Sequence, residues 1–322
     1  MKLSVFANLY GDKTLAETLD VMKKFGIDTV EIGAGGYPGK NQCDPDVLLS
    51  DKTEFYKFRE TFNTYDIDIC ALSVHGNPVH PDKEIAKSFD HDFRQAVLLA
   101  EMLEIDTVVG FSGCPGDSEN SKYPNWVTCP WPDDFLTILD WQWNDVLLPY
   151  WREASDFALA HGVTKIAFEM HPGFCVYNPE TALRIRKEIG KVIGVNFDPS
   201  HLIWQGIEPV AAIRELGDSI YHFHAKDTKI DKYNTAKFGV LDTKHYGDEL
   251  HRSWIFRSCG YGNSESYWRD MVSALRLVGY DKVMSIEHED SLMSLDEGLK
   301  KAIDFLRGVI IDEPKPGSMS WA

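Results

Sequence analysis

The six cysteines of this 322-residue chain include no CxxC pair, and no apolar run approaches the about 20 residues of a membrane helix. Cys43, Cys70, Cys114, Cys129, Cys175 and Cys259 are scattered, several within apolar stretches. That spacing excludes a disulfide framework or a thiolate zinc site and predicts reduced thiols. Positive charge is also short: 33 Lys and Arg stand against 50 Asp and Glu, a net charge of −17. Such a balance argues against a nucleic-acid backbone or an anionic membrane as partner. Met1–Lys13 turns polar too soon for a secretory signal, so the expectation is a cytoplasmic protein. No glycine-rich phosphate loop follows the first predicted strand, where Ala7–Gly11 reads ANLYG, and this disfavours a doubly wound nucleotide-binding sheet. Low-complexity tracts and internal repeats are absent.

What is present is a large apolar content, 43%, with 17 Phe, 13 Tyr and 9 Trp, enough for an extensive core. Apolar strand patterns at Lys2–Asn8, Thr29–Ile32, Ile67–His75, Asp106–Phe111, Lys165–Glu169, Val192–Asp198, Ser219–His224 and Lys282–Glu287 alternate with amphipathic helical patterns. Eight alternations without a linker predict a single α/β (β/α)8 TIM barrel, a fold of about 250 residues or more. Residues 1–310 are assigned to the barrel and 311–322 to an irregular tail. The runner-up is an open doubly wound sheet. Two long connections, Ser112–Pro132 after strand four and Thr228–Gly262 after strand seven, should overhang the C-terminal rim, where this fold places active sites.

Polar residues concentrate at that rim. IAFEMH (Ile166–His171), GVNFDPSH (Gly194–His201), IYHFHAKD (Ile220–Asp227) and VMSIEHED (Val283–Asp290) are apolar strands ending in metal-type ligands. The four candidates are Glu169, Asp198, His224 and Glu287. Three hard oxygens and one imidazole suit Mn²⁺, Mg²⁺ or Co²⁺. Two positions earlier on the same strand faces stand Ala167, Asn196, His222 and Ser285, small or hydrogen-bonding residues fit to orient ligands. A strand-end acid can also merely cap the next helix, and four matched ends outweigh that plainer account. His201, His171, His75 and Lys226 are candidates for substrate contact, with Lys226 and Asp227 reading as a charged pair. His245, His251, Arg252 and Arg257 are solvated residues or a lid. Trp126, Trp131, Trp141 and Trp143 are aromatic enough to stack on a sugar, although helix packing explains the last two. His80, His91 and His161 receive no role.

FEMHPG (Phe168–Gly173), NFDPSH (Asn196–His201), HFHAKD (His222–Asp227) and SIEHED (Ser285–Asp290) resemble the sugar-phosphate isomerase/epimerase superfamily with its xylose-isomerase-like barrel. That superfamily includes ketose 3-epimerases, hydroxypyruvate isomerases, inosose dehydratases and apurinic-site endonucleases. The resemblance implies one divalent ion, Mn²⁺ first with Zn²⁺ also compatible, held by Glu169, Asp198, His224 and Glu287. It further implies Glu169 and Glu287 as the acid–base pair, His201 as a substrate contact, and an isomerase or epimerase acting through an enediolate on a small sugar or glycoside. The endonucleases need a histidine at the end of strand four, where this chain has Gly110–Phe111–Ser112–Gly113. The epimerases place an arginine soon after the strand-seven histidine, and here the first is Arg252. A lyase related to the C-glycoside deglycosidases, some with a small second subunit, is the alternative, although the loop after strand four lacks their histidine base. A non-catalytic sugar-binding barrel is a third class, and a homo-oligomer is compatible with the Trp-rich loop.

Overall fold

The computed structural model describes residues 1–314 and 317. Residues 315, 316 and 318–322, most of the expected tail, lie outside the described residues. Among the described residues ten strands are formed: β1 Lys2–Phe6, β2 Thr29–Gly33, β3 Asp68–Ser73, β4 Thr107–Gly110, β5 Lys165–Glu169, β6 Ile193–Phe197, β7 Ile220–Ala225, β8 Asp227–Ile230, β9 Trp254–Arg257 and β10 Val283–Ile286. Eight of them close a barrel in the order β1-β10-β7-β6-β5-β4-β3-β2, so the alternation read from the sequence holds and the open sheet does not. β8 and β9 form a separate two-stranded sheet.

Two compact units make up the chain, one from Phe6 to Phe197 and one from Met1–Val5 with residues from Asp198 onward. In the first, β2 to β6 pair in parallel, with Val108 opposite Ile166 and Ala167 opposite Gly194. β2 and β6 are buried along their whole length, because helices cover the outside of a parallel sheet and packed side chains fill the inside. β1 was expected to reach Asn8 but stops at Phe6, and Ala7–Tyr10 form one tight turn. The cause is a local competition: Asn8 Oδ1 accepts from Gly33 N–H at 2.7 Å while its Nδ2 donates to the Pro38 carbonyl at 2.6 Å. A Cβ on Gly33 would stand 2.4 Å from the Asn8 amide, so only glycine admits that contact.

Helix boundaries follow local chemistry. Leu15–Lys24 begins with a reciprocal Thr14/Glu17 cap, and Pro179–Ile189 with Asn178 accepting from Thr181 N–H. The long connection after β4 is pinned by buried Gln142, whose Nε2 donates to the Gly116 and Asn125 carbonyls at 2.9 and 2.7 Å. Gln142 opens a π-helical turn, Gln142–Leu147, between the helices Asp134–Trp141 and Leu148–Ala160.

In the second unit, β10 pairs with both β1 and β7, with Ser285 opposite His224. The connection after β7, expected only to be long and to overhang the rim, is a built strap. β8 and β9 pair antiparallel with Ile230 opposite Trp254 and Thr228 opposite Phe256, and the helix Lys232–Phe238 stands between them. Its apolar side, Trp254 and Phe256, packs on Trp204. The six cysteines are free thiols.

Candidate active site

Glu169 is the last residue of β5 and is buried. Its Oε2 accepts from Asn196 Nδ2 at 3.2 Å and lies 3.0 Å from His75 Nε2. A buried carboxylate held by two donors has a fixed direction, which a ligand or a proton acceptor both require. His75 lies just beyond β3, and Asn196 is on the inner face of β6, two residues before Asp198. Glu31, on β2, accepts from the Ser73 hydroxyl. His171 follows β5 and is half-buried; its Nδ1 lies 2.6 Å from the Pro172 carbonyl, so Nδ1 carries the proton. His171 packs against Phe111 and Phe174, which no polar motif had marked.

The other unit gathers three of the predicted ligands. Asp198 ends the β6 segment and caps the short helix Pro199–Trp204, accepting from Ser200 N–H at 2.8 Å through Oδ1. The plainer capping role is therefore real for this residue, and it uses only one of the two oxygens. Asp198 Oδ2 lies 3.2 Å from His201 Nε2 and 3.1 Å from Lys226 Nζ. His201 is in the first turn of that helix. Lys226 Nζ also lies 2.7 Å from Glu287 Oε2 and 3.0 Å from Glu289 Oε2. His224 Nδ1 is 3.2 Å from the same Glu287 oxygen. Three carboxylates thus surround one ammonium, leaving an excess of negative charge around a nearly buried centre. Cys259, whose thiol donates to the Ala225 carbonyl, titrates well above an ordinary thiol through burial and then the charges of Asp227 and Asp198.

Asp227 is engaged elsewhere. Its carboxylate accepts from the N–H groups of Gly260, Gly262 and Asn263 at 3.0, 3.1 and 3.0 Å and from Trp268 Nε1 at 3.1 Å. Asp227 therefore anchors the segment after β9. Arg252 is buried between the rings of Tyr246 and Trp254, at 4.4 and 4.5 Å, and braces the strap; it is not a solvated lid residue. Arg257 pairs with Asp290 at 3.0 Å. Phe256, which the sequence did not single out, places its ring 4.7 Å from Lys226 Nζ and 5.3 Å from the His201 ring. Its alternation with Trp254 inside the strap was the available signal. Of the tryptophans, Trp143 is buried beneath Arg184 and Trp131 is exposed.

A family model described as xylose isomerase-like TIM barrel matches residues 19–309. The chain is 36% identical over 312 residues to the protein YfiH of Bacillus subtilis (strain 168), described as uncharacterized, covering 96% of this chain and 99% of that protein. Among solved structures, a D-tagatose 3-epimerase-like protein is 22% identical with a TM-score of 0.64, covering 96% of this chain and 98% of its own. The IOLI protein with a bound zinc atom is 21% identical with a TM-score of 0.63 over the same shares. These two likenesses are of fold.

Proposed function

The chain belongs to the xylose isomerase-like TIM-barrel family, and from that premise we propose that it is a divalent-metal-dependent sugar isomerase or epimerase working through an enediolate. The observation that carries the reading is the convergence of Asp198, His224 and Glu287 on a centre whose carboxylates outnumber their one ammonium. In this proposal Glu169, the strand-end acid of FEMHPG, is the fourth ligand. Hard oxygens with one imidazole favour Mn²⁺, and the zinc in the similarly folded IOLI protein supports a divalent ion in general. When bound, such an ion supplies positive charge to a ketone oxygen as the neighbouring carbon loses its proton.

The protein's own residues do the rest. Glu169, oriented by Asn196 and His75, takes or returns a proton on one side, and Glu287 does so on the other. Lys226 and His201, both buried beside Asp198, hold substrate oxygens, and His75 and His171 contact the substrate on the Glu169 side.

The test joins elemental analysis of purified protein with deuterium uptake into ketoses in heavy water. Glu169→Gln and Glu287→Gln should each slow uptake by about 10²–10⁴-fold. Undiminished uptake in both variants with metal retained, or full activity in metal-free protein, overturns the reading.

A further inference from the structure

Beside Glu169 stands a group of aromatic rings that proton transfer does not require. Phe111, just after β4, and Phe174, in the turn after β5, stack with centroids 4.2 Å apart and planes 18° from parallel. Phe111 also meets His75 edge-on at 4.6 Å and His171 at 5.1 Å. Tyr37 continues the strip 6.2 Å from Phe111 and is 60% exposed. Because His75 lies 3.0 Å from Glu169 Oε2, the strip begins one side chain away from that carboxylate.

These rings are not core filling. Phe111 and Phe174 are only half-buried, just past the ends of their strands. They are also held in place. Cys175 N–H donates to the Gly113 carbonyl and Val176 N–H to Ser112 Oγ, each at 3.0 Å. Asn77 Nδ2 donates to the Cys114 carbonyl at 2.9 Å, and Asn77 Oδ1 accepts from Cys114 N–H at 3.0 Å. The turn bearing Phe174 is thus laced to the segment that follows Phe111. A preformed aromatic surface loses little conformational freedom when it binds.

We propose that Phe111 and Phe174, extended by Tyr37, form a stacking subsite for a ring that the substrate carries beyond its reacting ketone. A short acyclic ketose has no flat apolar face to offer. The C–H face of a cyclic keto-polyol does, and so does an aryl aglycone, and both are attracted to a π surface. This deepens the metal-dependent reading and rests on it for where the ketone lies.

The test is binding, measured by NMR titration of the Mg²⁺-loaded protein with a keto-inositol, the 3-keto form of phenyl glucoside, and erythrulose as the acyclic probe. Phe111→Leu and Phe174→Leu keep apolar bulk without the ring, and Phe111→Tyr keeps the ring. Each Leu variant should raise the Kd of at least one ring-bearing probe about three- to tenfold and that of erythrulose less than twofold, with Phe111→Tyr near wild type. Loss confined to the keto-inositol identifies a sugar ring, and loss confined to the phenyl compound identifies an aglycone. Equal loss across all probes in variants that melt like wild type, no loss, or no binding of either ring probe by the wild type overturns the subsite. Deuterium uptake on the same samples separates the two readings. Ring-selective binding without uptake sinks the proton-transfer chemistry alone, and uptake without ring selectivity sinks the subsite alone.

Discussion

Lys226 is almost fully buried, and its ammonium has Asp198, Glu287 and Glu289 within 3.1 Å. Removing one member of a buried ionic group costs about 3–5 kcal/mol, chiefly because its partner is left as an uncompensated charge. Lys226→Met should therefore destabilise metal-free protein toward the lower end of that range, since Glu289 is half exposed. Added Mn²⁺ should recover more stability in the variant than it adds to the wild type, because it replaces the missing charge. Urea melts with and without Mn²⁺ read both effects, and a metal-free variant as stable as wild type contradicts the electrostatic account. Asp227 makes a separate case. In Asp227→Asn the amide NH₂ faces a donor where the carboxylate accepted from Asn263 Nδ2 at 2.7 Å or from the N–H groups of Gly260 and Gly262. The expected cost is about 2–3 kcal/mol in thermal unfolding.

At the scale of elements, the strap of β8 and β9 is held by alternation. Trp254 stacks on Trp204 at 4.5 Å with planes 6° apart, and Phe256 packs beside it. Trp254→Ala removes the central ring and should cost about 3–5 kcal/mol by chemical denaturation. Because Phe256 also lies against Lys226 and His201, the proposed substrate contacts, the same variant should weaken substrate binding more than a surface substitution does. The strap carries a pH dependence as well. Burial raises the Asp242 carboxyl, but the N–H groups of Lys244 and Ser253 and the Lys244 ammonium outweigh burial and lower it from 3.8 to about 2. A carboxyl depressed by folding contributes stability above its unfolded pKa and loses it as pH falls through the folded one. Asp242→Asn should thus be less stable than wild type at pH 6 and converge with it between about pH 4 and pH 2, as urea midpoints across that window will show.

For the whole molecule the proposed ion would act through linkage. A ligand that binds only the folded state stabilises it by about 2.7 kcal/mol at a hundredfold excess over its Kd. For a chain of this size that shifts the melting temperature by roughly 4 °C. Mn²⁺ should raise the midpoint by about that much and a chelator should reverse it. A midpoint indifferent to Mn²⁺, Mg²⁺, Co²⁺ and Zn²⁺ contradicts a resident ion.

The eightfold strand–helix alternation, the helix cap at Thr14 and the polar residues at strand ends were all legible in the amino-acid order. Each is a matter of spacing within a few residues, where backbone geometry leaves few choices. Non-local contacts were not legible. The strap read only as a long connection because the partners in its sheet, such as Ile230 and Trp254, are separated by a helix and a polar stretch. Asp227 read as the partner of Lys226 until the backbone N–H groups that it accepts from came into place around it. Phe111 and Phe174 carried no polar signal, and only the pairing of their two loops sets one ring on the other. Which strand ends bear acids and imidazoles is written along the chain. Which of those side chains meet, and which charge stands between them, was decided by tertiary structure, because meeting depends on strand order and on contacts between residues as far apart as Asp198 and Glu287.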